Sequence, residues 1–114
     1  MNLAVVIGTL SSEPRRRDLP SGSVLVSYEV TTEEPDRRCT VPVVWFDPAR
    51  PPSLADGDEV VVVGRVRRRF FRSGGSTVSR TEVEARVVAR AGSRRADRAL
   101  AAAHETLGES VPCG

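Results

Sequence analysis

The chain has 114 residues, which fits one domain with a short tail and suffices to bury a core without disulfides or metals. Valine dominates the apolar residues while leucine and aromatics are scarce, a composition suited to pleated sheet. The formal net charge of +2 is too small to argue for a nucleic-acid partner by itself, and the absence of lysine among the 17 basic residues is what a GC-rich coding sequence produces.

The elements follow in chain order. "LAVVIGTL" (3–10) is a short Val- and Ile-rich run closed by two serines, the first strand. "SEPRRRDLPSGS" (12–23) is a loop with a short extended piece around Arg16 to Leu19. "SVLVSYEVTT" (23–32) alternates, with Val24, Val26, Tyr28 and Val30 on one face, and makes the second strand. "EEPDRR" (33–38) turns the chain into "CTVPVVWF" (39–46), the third strand, where Pro42 argues for an edge or irregular position. "DPARPPSLADGD" (47–58) is too broken for a long helix and allows one turn around Ser53–Ala55.

"EVVVVGRVRRRFFR" (59–72) is the longest strand, with Gly64 marking a bulge or bend. "SGGS" (73–76) turns it back into "TVSRTEVEARVVA" (77–89). After Arg90 the composition shifts, which sets a domain of residues 1–90 and a tail of 91–114. A helix over 94–107 starts from a Ser93 cap, carries a weak apolar stripe of Leu100, Ala103 and Leu107, and stops at Gly108. Five strands and little helix predict an all-β barrel or sandwich.

The charge is unevenly spread. Five arginines and no acid lie between Gly64 and Arg72. Strand alternation puts Arg65, Arg67, Arg69 and Phe71 on one face, and Val66, Arg68 and Phe70 on the other. If Val66 points to the core, the first set forms a solvent-facing guanidinium stripe ending in an aromatic ring. Arginines track phosphates and release counterions. A ring offers a base a platform worth about 1–3 kcal/mol, available only when bases are unpaired. The other reading is a solvated charged face whose phenylalanines fill an apolar patch or a subunit interface. Trp45 and Phe46 are adjacent and point to opposite faces, so one is core and one exposed.

Taken together, "NLAVVIGTLSSEPRRR", "LPSGSVLVSYEVTT", "VPVVWF", "LADGDEVVVVGRVRRRFF" and "TEVEARVV" resemble, in order, segments of the bacterial single-stranded DNA-binding protein family. The resemblance covers residues 1–90 and implies a five-stranded OB-fold barrel with a short C-terminal helical or disordered tail. It implies non-specific binding of single-stranded DNA in replication, recombination and repair. Phe46 and Phe71 match stacking positions at the ends of strands three and four. Arg67 and Arg69 match basic residues on the DNA path, and Arg17 matches an arginine of the first loop. Arg65 joins the expected basic path along the phosphates, Arg68, Phe70 and Arg72 near the turn extend the groove, and Trp45 becomes core. The resemblance also implies a homotetramer, with a homodimer as the alternative.

The chain departs from that family in four places. "TTEEPDRRCT" is shorter than the family's hairpin and has no tryptophan. Thr40 or Val41 stands where another tryptophan is common, and "DPARPPSLADGD" is shorter than the family's helix-bearing segment. The ending "HETLGESVPCG" lacks the acidic tip that recruits repair proteins, so recruitment by that route is not expected. A short accessory member is the expected standing. The alternative is an OB-fold protein-interaction subunit with weak nucleic-acid binding, and RNA remains open because stacking platforms accept either backbone.

Enzymatic activity, cofactors and metals are not expected. His104 is the only histidine, with no triad or paired carboxylates beside it. The glycines form neither a GxGxxG nor a P-loop. Cys39 and Cys113 have no zinc-ligand spacing and read as inert thiols. With no basic leader before "MNLAVVIGTL" and no run of about 18–20 apolar residues, a cytoplasmic, nucleoid-associated protein without a membrane partner is expected.

Overall fold

The computed structural model describes residues 1–110, as six strands and one helix. They are β1 (Ala4–Leu10), β2 (Arg15–Asp18), β3 (Val24–Glu33), β4 (Arg38–Phe46), β5 (Glu59–Ser73), β6 (Ser76–Arg90) and α1 (Arg94–Ser110). The strand beyond the five expected is β2. It pairs with the edge of β3, Arg15 opposite Ser27 and Asp18 opposite Val24. All its residues are exposed, so hydrophobic periodicity carries no signal there.

The sheet runs β1-β5-β6-β4-β3-β2, and β3 also bonds β1. Val30 meets Leu10 and Thr31 meets Thr9, which closes five strands into a ring. All pairs are antiparallel except β4 with β6, which are parallel where Val43 and Val44 meet Val83 and Glu84. Gly8 permits the closure, because a Cβ there would overlap the Thr31 carbonyl oxygen. Pro42 lies just before the short β6 contact, in a part of β4 with one bonded neighbour. No helical turn forms at Ser53–Ala55.

The ring encloses Leu10, Val26, Tyr28, Val30, Val43, Trp45, Val60, Val62 and Val88. Trp45 is therefore core, as the resemblance implies. Val60 and Val62 point inward, while Val61 and Val63 point outward under α1. That double burial explains the unbroken valine run, since neither face of β5 meets water there. The helix lays Ala96, Ala99 and Ala103 on Val61, Val63 and Ala89. The Ser93 hydroxyl accepts the Ala96 N–H at 3.1 Å and caps it. Two expectations fail here: Gly108 lies inside the helix, and Leu107 is exposed. The packed stripe is Ala96, Ala99 and Ala103, with Leu100 partly buried beside them as expected.

At Gly64 the β5–β6 register shifts, as a bulge. Beyond it the two strands continue as an arm to a turn at Gly74 and Gly75, whose φ values of 57° and 81° match the strand twist. The Asn2 amide extends the cover of β5 by one rung, donating to the Val66 carbonyl (2.7 Å) and accepting its N–H (2.9 Å). Every residue from Arg68 to Thr81 is exposed. Val66 is 47% exposed and does not point into the core, because the arm has by then run past it.

Candidate nucleic-acid interface

Cross-strand register brings five strands to one outer face. Arg15 and Arg17 of β2 stand opposite Ser27 and Leu25 of β3. Leu25 stands opposite Phe46 and Ser27 opposite Val44 of β4. Val44 stands beside Glu84 of β6, and Glu84, Glu82 and Arg80 oppose Arg65, Arg67 and Arg69 of β5. Phe71 continues the row, opposite Val78. A groove of about 330 Å³ runs between Arg15 and Arg17 on one side and Arg69 and Arg80 on the other, over Leu25, Ser27, Pro42 and Val44.

Phe46 is held in place by the next residue, Asp47, which adopts φ 47°, a conformation aspartate tolerates. The Asp47 N–H donates to the Val24 carbonyl, and its Oδ1 accepts the Val24 N–H, both at 2.8 Å. That clamp ends β4 with the Phe46 ring at the surface. The Arg67 guanidinium lies 5.6 Å from the Phe46 ring centre, and that of Arg69 lies 5.4 Å from Phe71. Two exposed rings thus flank two arginines, each engaged with a ring face.

The stripe is not free charge. Arg65 reaches Glu84 at 3.1 Å, and Arg67 reaches Glu84 at 3.4 Å and Glu82 at 3.8 Å. Arg69 reaches Glu82 at 3.5 Å, and Arg80 reaches Glu29 at 3.4 Å. Glu82 is buried, and its Oε1 has no hydrogen-bond partner. Arg15 and Arg17 have no acidic partner among the described residues. Six arginines still outnumber four glutamates on this face, Glu29, Glu82 and Glu84 with Glu13 at the groove's rim, so it stays positive.

Of the residues singled out by sequence, Arg17, Phe46, Arg65, Arg67, Arg69 and Phe71 share this face. Arg72 does not. It stands on the opposite face of the arm with Arg68 and Phe70, because strand alternation separates even from odd positions. Sequence reasoning missed Arg15, Arg80, Glu82 and Glu84. The signal for the glutamates was present: counting back from the two-glycine turn sets Arg67 against Glu82 and Arg65 against Glu84.

His104 is exposed on α1, and Cys39 is an exposed free thiol. Cys113 lies outside the described residues. Among the described residues, no cluster of His, Cys, Asp and Glu is grouped to hold a metal ion, and no helix is long and apolar enough to cross a membrane. No protein-family model matches the chain, and no curated protein matches it significantly.

Proposed function

We propose that this chain is an OB-fold protein that binds single-stranded DNA without sequence preference, as a short accessory member of the bacterial single-stranded DNA-binding family. The ring order supports the fold: strands one, two, three, five and four in succession, with three and five parallel. In this count β2 is an edge addition.

One observation carries the function: Phe46 and Phe71 are exposed on a single grooved face, each with an arginine against its ring. Duplex DNA hides its base faces, so exposed rings favour unpaired bases. Bases would stack on Phe46 and Phe71 while Arg15, Arg17, Arg67 and Arg69 neutralise phosphates. Arg65 sits at the inner end of the row, beside Glu84. The reading places the protein in the cytoplasm with the nucleoid, in replication, recombination and repair.

A homo-oligomer, tetramer or dimer, belongs to the same proposal. Val5 and Ile7 of β1 form an exposed apolar row (43% and 53% exposed) that a second copy would cover. The competing reading, a protein-interaction subunit, uses Phe46 and Phe71 for subunit contact.

The test is fluorescence anisotropy of labelled oligo-dT of about 35 nucleotides at two salt concentrations, with duplex competitor. Tight binding that survives moderate salt and ignores duplex supports the proposal. Binding that vanishes with modest salt, or that duplex competes equally, overturns it.

A further inference from the structure

The front of the β5–β6 arm is the groove face. Its back carries Val66, Arg68, Phe70 and Arg72, opposite Val83, Thr81, Ser79 and Thr77. No acid stands among these partners, and Arg68 and Arg72 make no ion pair among the described residues. The contrast with the front is sharp, since Arg65, Arg67 and Arg69 are all engaged by Glu82 or Glu84. Phe70 is 66% exposed, against 39% for Phe71. The Arg68 guanidinium lies 5.9 Å from its ring centre. The most exposed ring and the unneutralised arginines of the arm therefore share its back.

We infer that the back of the arm is a second contact site for single-stranded nucleic acid, separate from the groove. The inference rests on the proposed function. Charge and shape identify the ligand. Arg68 and Arg72 are four residues apart on a strand, about 13 Å, with Phe70 midway. That spacing sets a stacked base between two neutralised phosphates. Among the described residues nothing covers the ribbon on this side: β1 leaves β5 at Gly64, Asn2 reaches only Val66, and β4 touches β6 only at Val83 and Glu84. Front and back side chains point in opposite directions, so one strand touches both only by passing round the arm. The back site therefore needs a long ligand, whereas the groove accepts a short one.

The experiment compares wild type, Phe70→Ala and Arg68→Gln/Arg72→Gln on oligo-dT of about 8 and about 35 nucleotides. Expected for Phe70→Ala is unchanged affinity for the short oligomer and a loss of about fivefold or more for the long one. The double variant should also reduce the salt slope of the long oligomer by about 0.7 per arginine lost and leave that of the short one alone. These exposed substitutions spare the core, and retained short-oligomer binding reports the fold. Unchanged long-oligomer affinity, or equal losses on both lengths, overturns the second site. A change of oligomeric state in Phe70→Ala, read by light scattering, also overturns it, because the back would then be a subunit contact. Wild type that binds neither length removes the proposed function itself, a result distinct from the others.

Discussion

Glu82 Oε1 stands 3.5 Å from Arg69 Nη2; the glutamate side chain is 2% exposed and the arginine 43%. The buried carboxylate thus holds a surface guanidinium without a hydrogen bond to that oxygen. Arg67 leans on the same carboxylate, its Nε 3.8 Å from Oε2. A phosphate binding either arginine competes with Glu82. Under the proposed function the acid would compete with nucleic acid for the arginines whose positions it fixes.

Glu82→Gln keeps the shape and removes that competition. The expected outcome is tighter binding to oligo-dT, by about three- to tenfold at low salt, and a salt slope steeper by up to about 0.7. Both partner arginines are partly exposed and rehydrate when unpaired. The loss of the pair should therefore change folding stability by only about 1 kcal/mol, below the range for breaking a fully buried pair. Anisotropy titrations at several salt concentrations check the first point and urea unfolding the second. Weaker binding in Glu82→Gln would mean that prepositioning the arginines outweighs competition.

Phe46→Ala and Phe71→Ala separate stacking from subunit contact. If the rings stack on bases, each substitution should weaken oligo-dT binding by about 1–3 kcal/mol and leave the salt slope and oligomeric state unchanged. If the rings join subunits, the same changes should dissociate the oligomer. Titration paired with light scattering on one preparation distinguishes the two.

Gly64→Ala should destabilise the protein by about 2 kcal/mol or more. A Cβ at this bulge would fall inside the van der Waals shell of the Glu84 carbonyl oxygen and crowd the Ala85 Cα. Backbone atoms on a paired strand cannot swing aside. The displaced register would also move Arg65 and Arg67 away from their glutamates, so DNA affinity should change with stability. Urea unfolding measures the first effect. A Gly64→Ala protein as stable as wild type would show that the bulge relaxes freely.

What could be read from sequence followed the rules of alternation. Val24, Val26, Tyr28 and Val30 on one face, the bulge at Gly64, the two-glycine turn and the Ser93 cap each have a local cause, and each appears in the structure. β2 was legible only as a short extended piece around Arg16 to Leu19, because its four residues are uniformly exposed and only pairing with β3 makes it a strand. Whether Val66 meets the core could not be read, because alternation gives the face of a residue but not where the core beneath it ends. Phe46 and Arg67 come from different strands, and their approach depends on the parallel pairing of β4 with β6, which no local pattern encodes. The neutralising glutamates needed register, and register needed the turn to be counted through.

Tyr28 gives a prediction that does not depend on any ligand. Its side chain is buried in the ring, and burial pushes its hydroxyl pKa up to about 12, with the nearby Arg95 charge opposing the shift. In the unfolded chain a tyrosine titrates near 10. The folded state thus holds its proton more tightly, and this stabilisation is fully present below pH 10. It is lost as pH rises from about 10 to about 12, when the unfolded chain ionises first. The stability of wild type should fall across that window by about 1–2 kcal/mol from this group, less than the full shift would give because solvent screens the hydroxyl. Tyr28→Phe removes the titrating hydroxyl, so its stability curve should lack that part of the decline. Urea midpoints of both proteins between pH 8.5 and about pH 11.5 make the comparison. Parallel curves would mean that the Tyr28 hydroxyl reaches solvent in the folded protein and that burial does not hold its proton.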